Sequence, residues 1–108
     1  KQLSIIATSG DHPIPQLPGV LTVKDSGYPD YLVTSWNALS GPTGIPPDIV
    51  AKLNSEVNAV LAMPEVKDRV AELGMESIGS TPEKFGAYLQ SEVSKWEKVT
   101  KAANIRGE

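Results

Sequence analysis

The chain has no cysteine, one histidine, no excess of basic residues and no apolar stretch longer than about seven residues. Each lack removes a class of protein. Without cysteine there are no disulfides, no thiolate zinc site and no thiol nucleophile. With a net charge of −3 there is no basic stripe for a nucleic-acid backbone, and no nucleic-acid partner is expected. Lys95, Lys98 and Lys101 come nearest, but Glu92 and Glu97 lie among them, so a solvated helix face is expected there. The apolar stretches fall far short of the roughly 20 residues a spanning helix needs, and no signal peptide is visible.

What remains is ordinary globular composition in 108 residues, 40% hydrophobic and 21% charged. A chain of this size is one domain or a piece of one, with a single modest core expected. Lys1 leads almost directly into Leu3–Thr8, a short β-branched run that reads as a buried strand. A segment upstream of it is expected. The run ends at Ser9-Gly10-Asp11, and residues 12–19 (HPIPQLPG) are too broken by proline for helix or central strand. Thr22 is expected to cap a short helical turn that Gly27 closes.

Tyr31 to Leu39 has strand composition, and the elbow GPTGIPP follows it. An elbow of this kind suits an ordinary turn, or a chain crossing between two lobes. Beyond it the apolar residues Ile49, Val50, Leu53, Val57, Val60 and Leu61 mark an amphipathic helix. Pro64 starts a shorter one that Gly74 stops. Met75 to Ile78 is a brief strand candidate. Thr81 as N-cap, Pro82 and Glu83 then open a long last helix, with Phe85, Leu89, Val93, Trp96 and Val99 or Thr100 repeating every three to four residues, ending near Ala103. Two or three strands make a narrow sheet, whose edges need a partner or a cover.

No residue set carries catalysis. His12, with Asp11 beside it and Ser9 nearby, is not a triad, because neighbouring side chains diverge from one backbone. It reads as an exposed loop histidine. Scattered carboxylates with one histidine do not make a metal site. Glu56, Glu65, Glu72 and Glu92 stand where solvent-facing helix residues stand. Gly41-Pro42-Thr43-Gly44 matches neither the dinucleotide fingerprint nor the phosphate loop. Trp96, on its apolar stripe, is expected in a core. Trp36 suits a core, a ligand face or an interlobe position.

Taken in order, several segments resemble the C-terminal part of the tripartite tricarboxylate transporter substrate-binding family, the Bug-type periplasmic binding proteins. They are LSIIATS, LPGVLTVKDSGYPDY, SWNALSGPTGIPPDIVAKLNSEVNAVL, MPEVKDRVAELGMESIGSTPEKF and KWEKVTKAANI. The ordered set Trp36, Pro42, Pro46, Leu53-Asn54, Pro64-Glu65-Val66, Gly74, Thr81-Pro82 and Lys95-Trp96 carries the likeness. Three positions depart from the family pattern: Leu21 where proline is usual, Asp11 and His12 where a basic residue is common, and Ala38 where glycine is frequent.

The resemblance implies an α/β fold, with the chain as the C-terminal portion of a two-lobed, type II-like periplasmic binding protein: few strands and three main helices. Residues 1–32 would end the second lobe, 33–46 would cross between lobes, and 47–108 would form the helical C-terminal part of the first lobe. It implies a periplasmic solute-binding protein for small carboxylates feeding membrane transporter subunits, not an enzyme, with no cofactor and no metal. Thr8, Ser9 and Gly10, at the end of the first strand, are the expected ligand-binding residues, with Ser35 and Trp36 as second candidates. If such a piece folds by itself, a second copy is expected to cover its orphaned edges. The rival reading is an independent structural or interaction domain that oligomerises and binds no solute.

Overall fold

The computed structural model describes residues 3–105. They divide into two compact units, Lys1–Pro42 and Thr43–Glu108.

The first unit is built from turns. Thr8 and Thr22 form a parallel β-bridge, made by Thr8 N–H to Leu21 O (3.0 Å) and Val23 N–H to Thr8 O (2.9 Å). Val33 N–H adds a third segment by donating to Ser9 O at 3.0 Å. Thr22 is fully buried. Its Oγ1 accepts from Asp25 N–H at 3.0 Å and donates to Asp25 Oδ2 at 2.7 Å. This sets up a 3-10 turn, Lys24–Ser26, which Gly27 closes at φ 108°. The positive φ explains why glycine stands there.

The second unit holds three helices. Helix α1, Pro47–Ala62, begins where two prolines cost nothing, since first-turn N–H groups have no intrahelical acceptor. Met63 ends it and caps the next helix: its N–H donates to Val60 O, and its carbonyl accepts from Val66 and Lys67 N–H. Pro64 then opens α2, Pro64–Glu72, which packs on α1. Helix α3, Pro82–Ala102, starts at Thr81, whose side chain accepts from Lys84 N–H. Two of the helices end alike. After α2, Gly74 has φ 72°, with Gly74 N–H on Ala71 O and Met75 N–H on Val70 O. After α3, Asn104 has φ 51°, with Asn104 N–H on Lys101 O and Ile105 N–H on Thr100 O. Both are Schellman ends that satisfy the last free carbonyls.

The segment between α2 and α3 is strapped along α1. Ser77 Oγ donates to Leu61 O at 2.8 Å. Asn54 Nδ2 and Asn58 Nδ2 both donate to Ser80 O, at 2.8 and 3.0 Å. Ion pairs Lys52–Glu56, Arg69–Glu72 and Lys101–Glu97 decorate the exposed faces and contribute little.

Three sequence expectations are corrected here. The helical half of the expected α/β fold is present, but no strand forms among the described residues. Leu3–Thr8, Tyr31–Leu39 and Met75–Ile78 stay outside regular structure apart from the single bridge. A strand is a pairing, and β-branched composition does not supply the neighbour whose N–H and C=O groups complete a ladder. The expected core is also missing: no apolar side chain among the described residues is buried, and Trp96 remains 40% exposed. The apolar faces of α1 and α3 (Leu53 and Val57 on one, Leu89 and Val99 on the other) lie open. Glu92, by contrast, expected in solvent, is only 8% exposed. It sits between Phe85-Leu89 and Trp96-Val99 at alternating four- and three-residue steps, so the apolar stripe itself carries it inward.

Candidate functional site

The expected ligand residues lie in the first unit. Thr8, Ser9 and Gly10 form the turn that leaves the bridge, held on one side by residues 21–23 and on the other by Val33. Thr8 Oγ1 is closed off from solvent and has no hydrogen-bond partner. An unsatisfied buried hydroxyl costs about 1–3 kcal/mol, so it is a group with unused bonding capacity. Ser9 is exposed, and its backbone carbonyl is engaged by Val33 N–H. A β-carbon on Gly10 would meet His12 O at 3.7 Å, an ordinary contact, so glycine is not demanded there by space.

Ser35 and Trp36 follow Val33 by two and three residues and are exposed, Trp36 at 41%. The Val33–Ser9 hydrogen bond ties their segment to the Thr8–Gly10 turn. None of the five residues lines either of two open depressions on the surface. One, of about 380 Å³, is lined by Gly27, Tyr28, Pro29, Asp30 and Tyr31. The other, of about 340 Å³ in the second unit, is lined by Lys67, Ala71, Met75, Glu76 and Ser77. Each is walled by nearby stretches of one chain, whereas a site that buries a small molecule needs walls from several elements.

Electrostatics single out a pair that sequence reasoning passed over. Lys24 Nζ lies 2.5 Å from Asp11 Oδ1. The hydrogen bond from Lys24, reinforced by its charge, holds the Asp11 carboxyl below the usual carboxylate range. The same hydrogen bond and charge raise Lys24 above the usual lysine range. Thirteen positions separate the two, so no local spacing could announce them; the available signal was that Lys24 is the sole Lys or Arg between residues 3 and 42. His12 lies exposed in the same loop. No three His, Asp or Glu side chains converge as a metal site among the described residues.

The chain belongs to the tripartite tricarboxylate transporter family receptors, whose family profile matches residues 1–105. It is 35% identical over 86 residues to the "UPF0065 protein in tcbD-tcbE intergenic region" of a Pseudomonas species, covering 79% of this chain and 26% of that one. It is 27% identical over 89 residues to "Protein BugT" of Bordetella pertussis, covering 82% of this chain and 27% of that one. Among solved structures it is similar to "R. palustris Rpa4515 with adipate", with a TM-score of 0.78 and 32% identity over 92% of this chain and 33% of that one. The chain thus spans between about a quarter and a half of the length of the curated relatives it matches.

Proposed function

We propose that this chain is the C-terminal portion of a periplasmic receptor that binds a small carboxylate, a di- or tricarboxylate or related acid, and presents it to membrane transporter subunits. The observation that carries the reading is the likeness, at a TM-score of 0.78 and 32% identity, to a protein solved with adipate. In this reading residues 1–32 end one lobe, 33–46 cross over, and 47–108 are the helical part of the other. The boundary between the two compact units, at Pro42–Thr43, falls inside that crossover and supports it. The prolines of the elbow then set the crossing geometry and start α1. Two lobes would close on the solute, whose binding energy favours the closed population.

Thr8, Ser9 and Gly10 supply hydroxyl and backbone N–H donors to carboxylate oxygens in this reading, and Ser35 and Trp36 line the crossover side. The open apolar faces of α1 and α3 are covered by the remaining chain, which accounts for their exposure here. No catalytic group, cofactor or metal takes part.

A thermal-shift screen of the protein as its gene encodes it, against di- and tricarboxylates, aromatic acids and acidic amino acids, tests the proposal. A ligand at a hundred times its Kd adds about 2.7 kcal/mol to stability. A clear rise with one acid is expected. The same open faces also suit an oligomerising interaction domain that binds no solute. A folded protein that sediments as an oligomer, with no shift across the panel, would favour that reading instead.

A further inference from the structure

The fold sets two opposite charges beside the Thr8–Gly10 turn. Asp11 follows the turn directly, and Lys24 opens the 3-10 turn. The bonds from Thr8 N–H to Leu21 O and from Val23 N–H to Thr8 O hold the two stretches side by side. Buried Thr22, bonded through Oγ1 to Asp25, fixes the start of the turn that carries Lys24. The ion pair that results is 2.5 Å long, with the Lys24 and Asp11 side chains 38% and 60% exposed, so both are within reach of a solute.

The charge inventory gives this pair its meaning. Between residues 3 and 42 the acids are Asp11, Asp25 and Asp30, and Lys24 is the sole Lys or Arg. Asp25, next in sequence to Lys24, also favours its charged form, and His12 adjoins Asp11. Of the residues between 3 and 42, a carboxylate arriving at this turn finds Lys24 alone as a permanent cation, and Asp11 already holds it.

Resting on the carboxylate-receptor reading, we infer that Asp11 is a specificity-determining residue: it occupies Lys24 as a built-in competitor and penalises ligands that bring a second negative charge to the Thr8–Gly10 turn. A solvent-exposed pair is weak enough for a ligand carboxylate to displace. The displaced Asp11 still repels a dianion across a few ångströms of water, a like-charge repulsion that the high dielectric weakens but does not remove. A ligand whose end at this turn is uncharged escapes both effects.

Calorimetric titration of the protein as its gene encodes it, with adipate and with its monomethyl ester, tests this. Asp11→Asn is expected to tighten adipate about fivefold and the ester less than twofold. Lys24→Gln is expected to weaken adipate by a similar factor. Asp30→Asn makes the same change in net charge without freeing Lys24, and is expected to shift adipate less than twofold. Adipate affinity unchanged by Asp11→Asn, or shifted equally by Asp30→Asn, would overturn the role of Asp11 and leave the receptor reading intact. If neither wild type nor Asp11→Asn binds adipate, with circular dichroism native in both, the inference fails. The receptor reading then fails with it only if every acid in the thermal panel is also silent.

Discussion

A β-carbon on Gly79 would lie 2.1 Å from Asn58 Oδ1, so the carboxamide of Asn58 fills the place a side chain at 79 would take. That same carboxamide donates through Nδ2 to Ser80 O (3.0 Å), Asn54 O (2.9 Å) and Asn54 Oδ1 (3.1 Å). The α2–α3 connection is laid on α1 by these contacts at Gly79 and Ser80, the two residues before the Thr81 cap. Gly79→Ala is therefore expected to expel the carboxamide and destabilise the protein by about 1–3 kcal/mol in urea unfolding. With Asn58→Ala already in place the clash is gone, and adding Gly79→Ala should cost well under 1 kcal/mol. Simple additivity of the two would refute the contact as the cause.

The two Schellman ends predict substitutions of opposite sign. Gly74 sits at φ 72°, where a β-carbon is strained, so Gly74→Ala is expected to cost about 1–2 kcal/mol. Asn104 holds the equivalent place at φ 51°, and asparagine tolerates this region less well than glycine. Asn104→Gly is expected to stabilise the end of α3 by about 0.5–1 kcal/mol. Denaturant midpoints check the signs, and amide exchange at Ile105, whose N–H is bonded to Thr100 O, localises the second.

These helix boundaries were readable in the sequence because their causes are local. Pro47, Pro64, Thr81-Pro82 and Gly74 each act on their own turn of chain. The strands were not readable, since Leu3–Thr8 offers strand-forming residues but cannot name a neighbour, and only Thr8 finds one. Asp11 and Lys24 were missed for the same reason: turns 13 residues apart meet only through the backbone bonds of Thr8. Glu92 was legible and misread. Its place at alternating four- and three-residue steps with Leu89 and Trp96 puts it on the apolar stripe, which outweighs the solvent preference of glutamate.

The start of α3 carries a pH dependence. The backbone N–H of Glu83 and the nearby Thr81 hydroxyl favour the ionised form, and together they hold the Glu83 carboxyl below the ordinary glutamate value. A folded value below the unfolded one means that stability is present above the unfolded value, roughly pH 4.3, and is lost as pH falls through the lower folded value. Glu83→Gln should flatten this acid limb, measured as unfolding midpoint against pH. Thr81→Ala should weaken it and cost about 0.5–1 kcal/mol at neutral pH through loss of the cap.

Glu92 accepts from the Lys95 ammonium and, at 3.1 Å, from Trp96 Nε1, while Lys95 lies 5.5 Å from the centre of the Trp96 ring. Glu92→Ala removes the acceptor beneath the indole N–H and is expected to destabilise α3 by about 1–3 kcal/mol. Trp96 emission should shift to the red as the ring loses its anchor. Glu92→Gln keeps an acceptor for the indole and should restore much of the emission.

The open apolar faces have a calorimetric consequence. The heat capacity of unfolding comes mainly from hydrating apolar surface that the native state had hidden, and a domain near 100 residues ordinarily shows about 1.2–1.5 kcal/mol/K. Residues 3–105, with no apolar side chain fully buried among them, withhold less such surface from water than an ordinary domain does. By themselves they should melt over a broad range, with a shallow stability curve and a small heat-capacity step. The steep, curved stability of an ordinary domain would emerge only when α1 and α3 are covered.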